Sequence, residues 1–145
     1  MQDLSLVFKT DKRTSIHQRI IWCCDWSQDS KYFVTGGRDK KCILWSLEEK
    51  KPVSEKHLTF HAAVTAVAFA PIQNELIIVA GLEDGNIFIT KFKNDSGWSN
   101  PKKIDQSHHK TVKKLRFKPT ENSSLVLATC GSDNFVQIIN LNIEK

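Results

Sequence analysis

The sequence predicts an all-β chain built from about three repeated four-stranded antiparallel sheets, because one pattern recurs along it. Each unit opens on a short segment with apolar residues at its first, fourth and sixth places. These segments are Ile21-Trp22-Cys23-Cys24-Asp25-Trp26-Ser27, Val64-Thr65-Ala66-Val67-Ala68-Phe69-Ala70 and Val112-Lys113-Lys114-Leu115-Arg116-Phe117-Lys118. A turn aspartate follows in each unit, and Asp39, Asp84 and Asp133 stand 45 and 49 residues apart. One four-stranded repeat of this kind takes about 40–45 residues, so modest loop insertions account for the excess. No stretch carries the apolar period of a helix.

The elements follow in order. Residues 1–15 are expected to hold the outer strand of a preceding sheet, Leu4 to Lys9, and a linker. The first repeat, 16–60, continues from its inner strand to Tyr32–Gly36 and to Lys41-Cys42-Ile43-Leu44-Trp45, with a weakly patterned outer strand within Val53 to Phe60. The second, 61–107, has Leu76 to Gly81, a hairpin-type Asp84-Gly85 turn, Asn86 to Thr90, and an outer strand within Trp98 to Ile104. The third, 108–145, has Leu125 to Gly131 and Phe135 to Ile139 but lacks room for an outer strand. Trp22, Trp26, Phe69 and Phe117 fall at positions that read as core.

Composition excludes several classes. With 40% apolar and 26% charged residues, the chain reads as globular rather than disordered. Its apolar runs are too short to cross a bilayer as helices, and residues 1–15 lack the apolar region of a signal peptide, so the reading is intracellular. Cys23, Cys24, Cys42 and Cys130 form no CxxC pair and have no His partner at zinc-site spacing. They are expected to be core thiols, with no metal and no cofactor. The sequons at Asn94 and Asn122 read as chance matches. The net charge of +5 would favour an acidic partner if it were clustered, but Lys40–Lys41, Lys50–Lys51, Lys102–Lys103 and Lys113–Lys114 are spread over turns and solvated strand faces.

Four residues of the first repeat fit together chemically: His17, Thr35, Asp39 and Trp45. An indole N–H can only donate, a hydroxyl donates and accepts, and a neutral imidazole does one on each nitrogen. Trp45 can therefore donate to Thr35, Thr35 to His17, and His17 to Asp39, a buried chain that would tie one sheet together. A hydroxyl, an imidazole and a carboxylate are also the parts of an activated nucleophile. A hydroxyl lying inside a sheet against Trp45 would not meet a substrate, so no catalytic residue is assigned. The other repeats keep partial sets: Asp84 in the second, with Ala80 and Thr90 at the Thr and Trp places and His61 one residue out of register, and His108, Thr129 and Asp133 in the third, with Ile139 at the Trp place. His109 reads as a surface residue.

This set resembles the structural tetrad of WD40 repeats, with Ser46 after Trp45 where the family usually has Asp. The resemblance implies a β-propeller. Closed propellers have about four to eight blades, so three blades read as an incomplete one: a fragment, a truncated isoform or a partial gene product. The two end blades should expose apolar surface.

The wording of the chain narrows the family. The run Ser15-Ile16-His17-Gln18-Arg19-Ile20-Ile21-Trp22-Cys23-Cys24-Asp25-Trp26-Ser27, continuing through Asp29-Ser30-Lys31-Tyr32-Phe33 to Thr35-Gly36-Gly37-Arg38-Asp39, resembles the WD40-repeat second subunits of the Elongator complex. Ala63 to Val67, Val79 to Gly85 and Ala128 to Asp133 resemble later repeats of the same family. The likeness implies the closing blades of the second of two propellers, in a non-catalytic scaffold. The implied partners are the largest subunit and the radical-SAM acetyltransferase subunit of a complex that modifies wobble uridines of tRNA. That setting is cytoplasmic, with a nuclear pool. Two rivals stand beside it: a generic WD40 adaptor of the chromatin or ubiquitin-ligase type, and direct RNA contact through the lysines. Trp98, in a polar loop with Gly97 and Pro101, is the one aromatic that reads as an exposed interaction anchor, against packing within an outer strand.

Overall fold

A computed structural model describes residues 4–11, 16–53, 56–119 and 124–143, so the Asn122 sequon lies outside the described residues. Among them there is no α-helix, and therefore none long and apolar enough to cross a membrane. The chain forms three antiparallel sheets. The first holds β1 (Ile21–Trp26), β2 (Tyr32–Gly37) and β3 (Lys41–Ser46), with β4 (Lys51–Pro52) and β5 (Leu58–Thr59) both paired to β3. The second holds β6 (Val64–Phe69), β7 (Leu76–Leu82) and β8 (Ile87–Lys93), with β9 (Gly97–Trp98) and β10 (Lys102–Lys103) on β8. The third is β11 (Val112–Phe117), β12 (Leu125–Gly131) and β13 (Val136–Leu141).

The registers repeat as closely as the sequence does. Cys24, Thr35 and Ile43 lie side by side in the first sheet, Val67, Ala80 and Phe88 in the second, and Leu115, Thr129 and Gln137 in the third. Every inner strand carries a bulge at its second residue. The inner strands β1, β6 and β11 pack in succession, so the sheets stand as the blades of an open propeller arc.

Two apolar cores fill the seams. Val34, Cys42, Leu44, Val67, Ile78 and Phe92 lie between the first and second sheets, and Ala66, Val79, Ile87, Leu115, Leu127 and Ile139 between the second and third. Close approach depends on glycine at one place in each seam. A Cβ on Gly36 would stand 2.5 Å from Val64 Cγ1, and one on Gly81 would stand 2.5 Å from Val112 Cγ1. Polar bonds cross the seams as well: Phe69 N donates to Asp25 Oδ2 at 2.8 Å, and Thr65 Oγ1 donates to Val112 O at 2.6 Å.

Leu4 to Lys9, read as the outer strand of a preceding sheet, pair with no strand of these three sheets, and Phe8 sets its ring 6.2 Å from that of Trp45. The structure corrects three other expectations. Trp22 and Trp26, read as core, are 42% and 52% exposed. Cys24, read as a core thiol, is exposed as well. The outer strands exist but are split in two, since Pro52 and Pro101 have no N–H to carry a continuous ladder.

The last sheet exposes its far face, where Val136 and Ile138 are 79% and 69% accessible. Apolar faces at both ends favour association in water. The chain on its own is expected to self-associate increasingly with concentration in sedimentation-velocity runs; a single monomeric species that melts cooperatively would contradict this.

Candidate functional site

The first blade brings its four polar residues together. Trp45 Nε1 donates to Thr35 Oγ1 at 2.9 Å, the Thr35 hydroxyl donates to His17 Nε2 at 2.8 Å, and His17 Nδ1–H faces both Asp39 oxygens at 3.0 Å. The carboxylate can only accept, which sets the imidazole proton on Nδ1. Strand β2 supplies Thr35, β3 supplies Trp45, and the turn between them supplies Asp39, so one network spans the sheet. His17, Thr35 and Trp45 are all buried.

The turn is itself built by the aspartate. Asp39 Oδ1 accepts from Lys41 N at 3.4 Å and Oδ2 from Gln18 N at 3.0 Å, while Lys40 takes a positive φ of 68°. The third blade repeats this arrangement with His108 Nδ1 to Asp133 at 2.9 Å, Thr129 Oγ1 to His108 Nε2 at 2.8 Å, and backbone N–H groups of His109 and Phe135 on the carboxylate. Ile139 stands at Trp45's place and Gln137 beside Thr129, so the donor to the threonine is missing. In the second blade Asp84 accepts from Asn86 N at 3.1 Å. His61, displaced by one residue, still reaches it: Nε2–H donates to Asp84 from an exposed position. Ala80 and Thr90 give that blade no further link, and Thr90 Oγ1 bonds Ser99 O instead.

Burial opposes ionisation of Asp39, Asp84 and Asp133, but the hydrogen bonds they accept outweigh it and hold all three below the usual carboxylate range, Asp133 at about 2. A depressed folded pKa contributes stability that is present above the unfolded value and lost as pH falls through the folded one. With an ordinary value of 3.8, Asp133 should release its contribution as pH drops from there toward about 2. Acid titration followed by tryptophan fluorescence should therefore show the native state retained at pH 5 and lost in that window. A transition centred near pH 6 would contradict the assignment.

The arrangement has the parts of a nucleophile but not the access. The Thr35 hydroxyl already accepts from Trp45 and donates to His17, and it is closed in at 8% exposure. The thiols offer little more. Burial pushes Cys23 up to about 12 and also holds Cys42 well above the usual thiol range, so neither presents a thiolate. Among the described residues no group of three or more His, Cys, Asp and Glu is placed to hold a metal ion. Exchanging Trp45 for Phe removes the indole donor and should cost about 1–3 kcal/mol; an unchanged melting temperature would count against the network.

The surfaces carry the remaining chemistry. Trp98 is half-buried with its ring edge-on to Phe92 at 5.1 Å, so it packs within the outer strand rather than standing as an anchor. His109 is exposed. A cleft of about 540 Å³ opens where the first two blades meet, lined by Arg19, Arg38 and Lys40 with His61 and Glu83. Sequence reading passed over the seam residues Asp25 and Thr65 and the paired glycines Gly36 and Gly81. Only the glycines had a visible signal, their recurrence at the ends of Tyr32–Gly36 and Leu76–Gly81.

Sheets, registers and the tetrad define a chain of WD40 repeats, and the family model of the WD domain, G-beta repeat, matches residues 9–46, the repeat with all four residues. The more particular likeness is to Elongator complex protein 2. The chain is 35% identical to that protein from Danio rerio over 96% of its length, and 35% identical to those of Drosophila melanogaster and Homo sapiens over 95%. It spans about a fifth of those relatives, 21%, 19% and 20%. Among solved structures, the computationally designed Ika8 protein superposes with a TM-score of 0.62 at 22% identity, over 84% of this chain and 33% of that one, a likeness of fold.

Proposed function

We propose that this chain is a non-catalytic scaffold of an Elongator-type complex, contributing propeller surface to the assembly that modifies wobble uridines of tRNA. The similarity to Elongator complex protein 2 over nearly the whole chain carries this reading. The enclosed tetrad supports it, since the groups best suited to chemistry are committed to holding the blades. Its partners would be the largest subunit and the acetyltransferase subunit, and its setting the cytoplasm with a nuclear pool. Affinity purification of the tagged chain from cell extract, followed by mass spectrometry, tests the proposal. Recovery of those two subunits is expected; a ubiquitin-ligase or chromatin set in their place would overturn it.

A further inference from the structure

The cleft of about 540 Å³ where the first two blades meet has both its walls in blades that the chain holds. Backbone bonds fix which residues correspond from blade to blade there. Arg38 N, Glu83 N and Ser132 N donate to Ile20 O, Ala63 O and Thr111 O, and across the two seams Phe60 N and His108 N donate to Lys40 O and Gly85 O. Arg38 therefore stands where the other blades have Glu83 and Ser132, and Lys40 where they have Gly85 and Asn134. Ala62 and Ala63 stand where the third repeat has Lys110 and Thr111.

The two alanines make the hollow. In the second seam Thr111 Oγ1 donates to Glu83 O at 3.0 Å and bridges the blades. In the first, Ala63 has no hydroxyl to reach Arg38 O, and Ala62 is a methyl group where Lys110 has a long side chain. Cations gather at this same place. Arg19, Arg38 and Lys40 are exposed, and none of them forms an ion pair among the described residues. Lys40 carries its charge on a left-handed backbone, φ 68°, which Gly85 and Asn134 take with residue types suited to it.

The acceptors at the cleft are unequal. Asp39 is committed to His17 and to two backbone N–H groups. The Glu83 carboxylate forms no ion pair among the described residues, and His61, which gives Nε2–H to Asp84, has Nδ1 left to accept. Guanidinium forks and an ammonium around one hollow suit a phosphate group, whose oxygens take charge-assisted hydrogen bonds. An extended polyanion suits it less, because a chain running on over the second blade's turn would meet Glu83 and Asp84 in succession. We propose that this cleft binds a phosphate monoester of a polyol, a sugar phosphate or a nucleoside monophosphate. Arg19, Arg38 and Lys40 hold the phosphate, and hydroxyl groups of the ligand donate to Glu83 and to His61 Nδ1. The volume lies within the roughly 300–1,000 Å³ of small-molecule sites. This inference stands apart from the Elongator reading, since it concerns the chemistry of one cleft.

Saturation-transfer NMR on the full chain with adenosine monophosphate tests it. Saturable transfer is expected, weakened by about tenfold or more in the Arg38→Ser/Lys40→Asn variant. The third blade carries serine and asparagine at these places, so circular dichroism and the melting curve of the variant should match the parent. Lys113→Asn/Lys114→Asn, which removes two exposed cations elsewhere, should leave the affinity unchanged. Inorganic phosphate should displace the nucleotide only at higher concentration, and Glu83→Gln should narrow that gap. No saturable transfer, equal binding by parent and Arg38→Ser/Lys40→Asn, an equal loss in the Lys113/Lys114 variant, or a gap unchanged by Glu83→Gln would each overturn the proposal. Transfer RNA or a hexaglutamate peptide that displaces the nucleotide at a lower concentration than inorganic phosphate does would overturn it in favour of a nucleic acid or an acidic protein segment.

Discussion

Replacing Gly85 with alanine is expected to cost about 2–5 kcal/mol, combining a left-handed backbone that L side chains resist with overpacking against atoms that cannot yield. Gly85 has φ +92°, and a Cβ there would stand 2.0 Å from His108 O and 2.8 Å from Lys110 O. Both are backbone atoms, held in part because His108 N donates to Gly85 O at 2.9 Å. The methyl group would push apart the second blade's turn and the start of the third repeat. Gly97→Ala is the control: φ there is +74° but nothing lies within 4 Å of the added Cβ, so only the backbone cost of about 1–2 kcal/mol remains. Urea unfolding of both variants measures the difference, and equal losses would show that the contact with His108 does not matter.

His108→Leu should be the next most damaging change, at about 2–4 kcal/mol for buried polar groups left without partners. His108 and Thr129 are each 3% exposed, and the imidazole joins the threonine hydroxyl to Asp133. Removing it leaves Asp133 its two backbone donors and leaves the Thr129 hydroxyl without the imidazole. The corresponding His17→Leu should cost less, because Thr35 keeps the Trp45 indole, whereas Ile139 supplies nothing to Thr129. Thermal melts of the two variants should rank them in that order; a larger loss at His17 would contradict the account.

Most of the strand order was legible because each repeat writes it with the same apolar spacing and the same turn aspartate. The polar chain in the first blade was legible for a different reason: donor and acceptor capacity puts Trp45 at one end and Asp39 at the other, with Thr35 and His17, which each donate and accept, between them. What failed to show was whether a neighbour covers a given face. Trp22 and Trp26 have the residue types of a core, yet they are about half exposed, and the bulge at Trp22 interrupts the alternation along β1. His61 read as lost through its one-residue offset, although a histidine can turn its other nitrogen to the same carboxylate. The seam bonds from Phe69 N to Asp25 and from Thr65 to Val112 O join separate repeats through backbone atoms, which leave no trace in side-chain pattern.

The claim that the polar residues are committed to blade structure, leaving function to the surfaces, can be tested at one proton. The Trp45 indole N–H donates to Thr35 at 2.9 Å from a side chain 3% exposed, while Trp22 and Trp26 in the same strand system are open to solvent. Hydrogen exchange followed by NMR should show the Trp45 indole proton persisting until the first blade unfolds, with those of Trp22 and Trp26 lost at the rate of free indole. Exchange of Trp45 as fast as the other two would mean that the network does not hold, and would return the Thr35 hydroxyl and the His17 imidazole to the list of reactive groups.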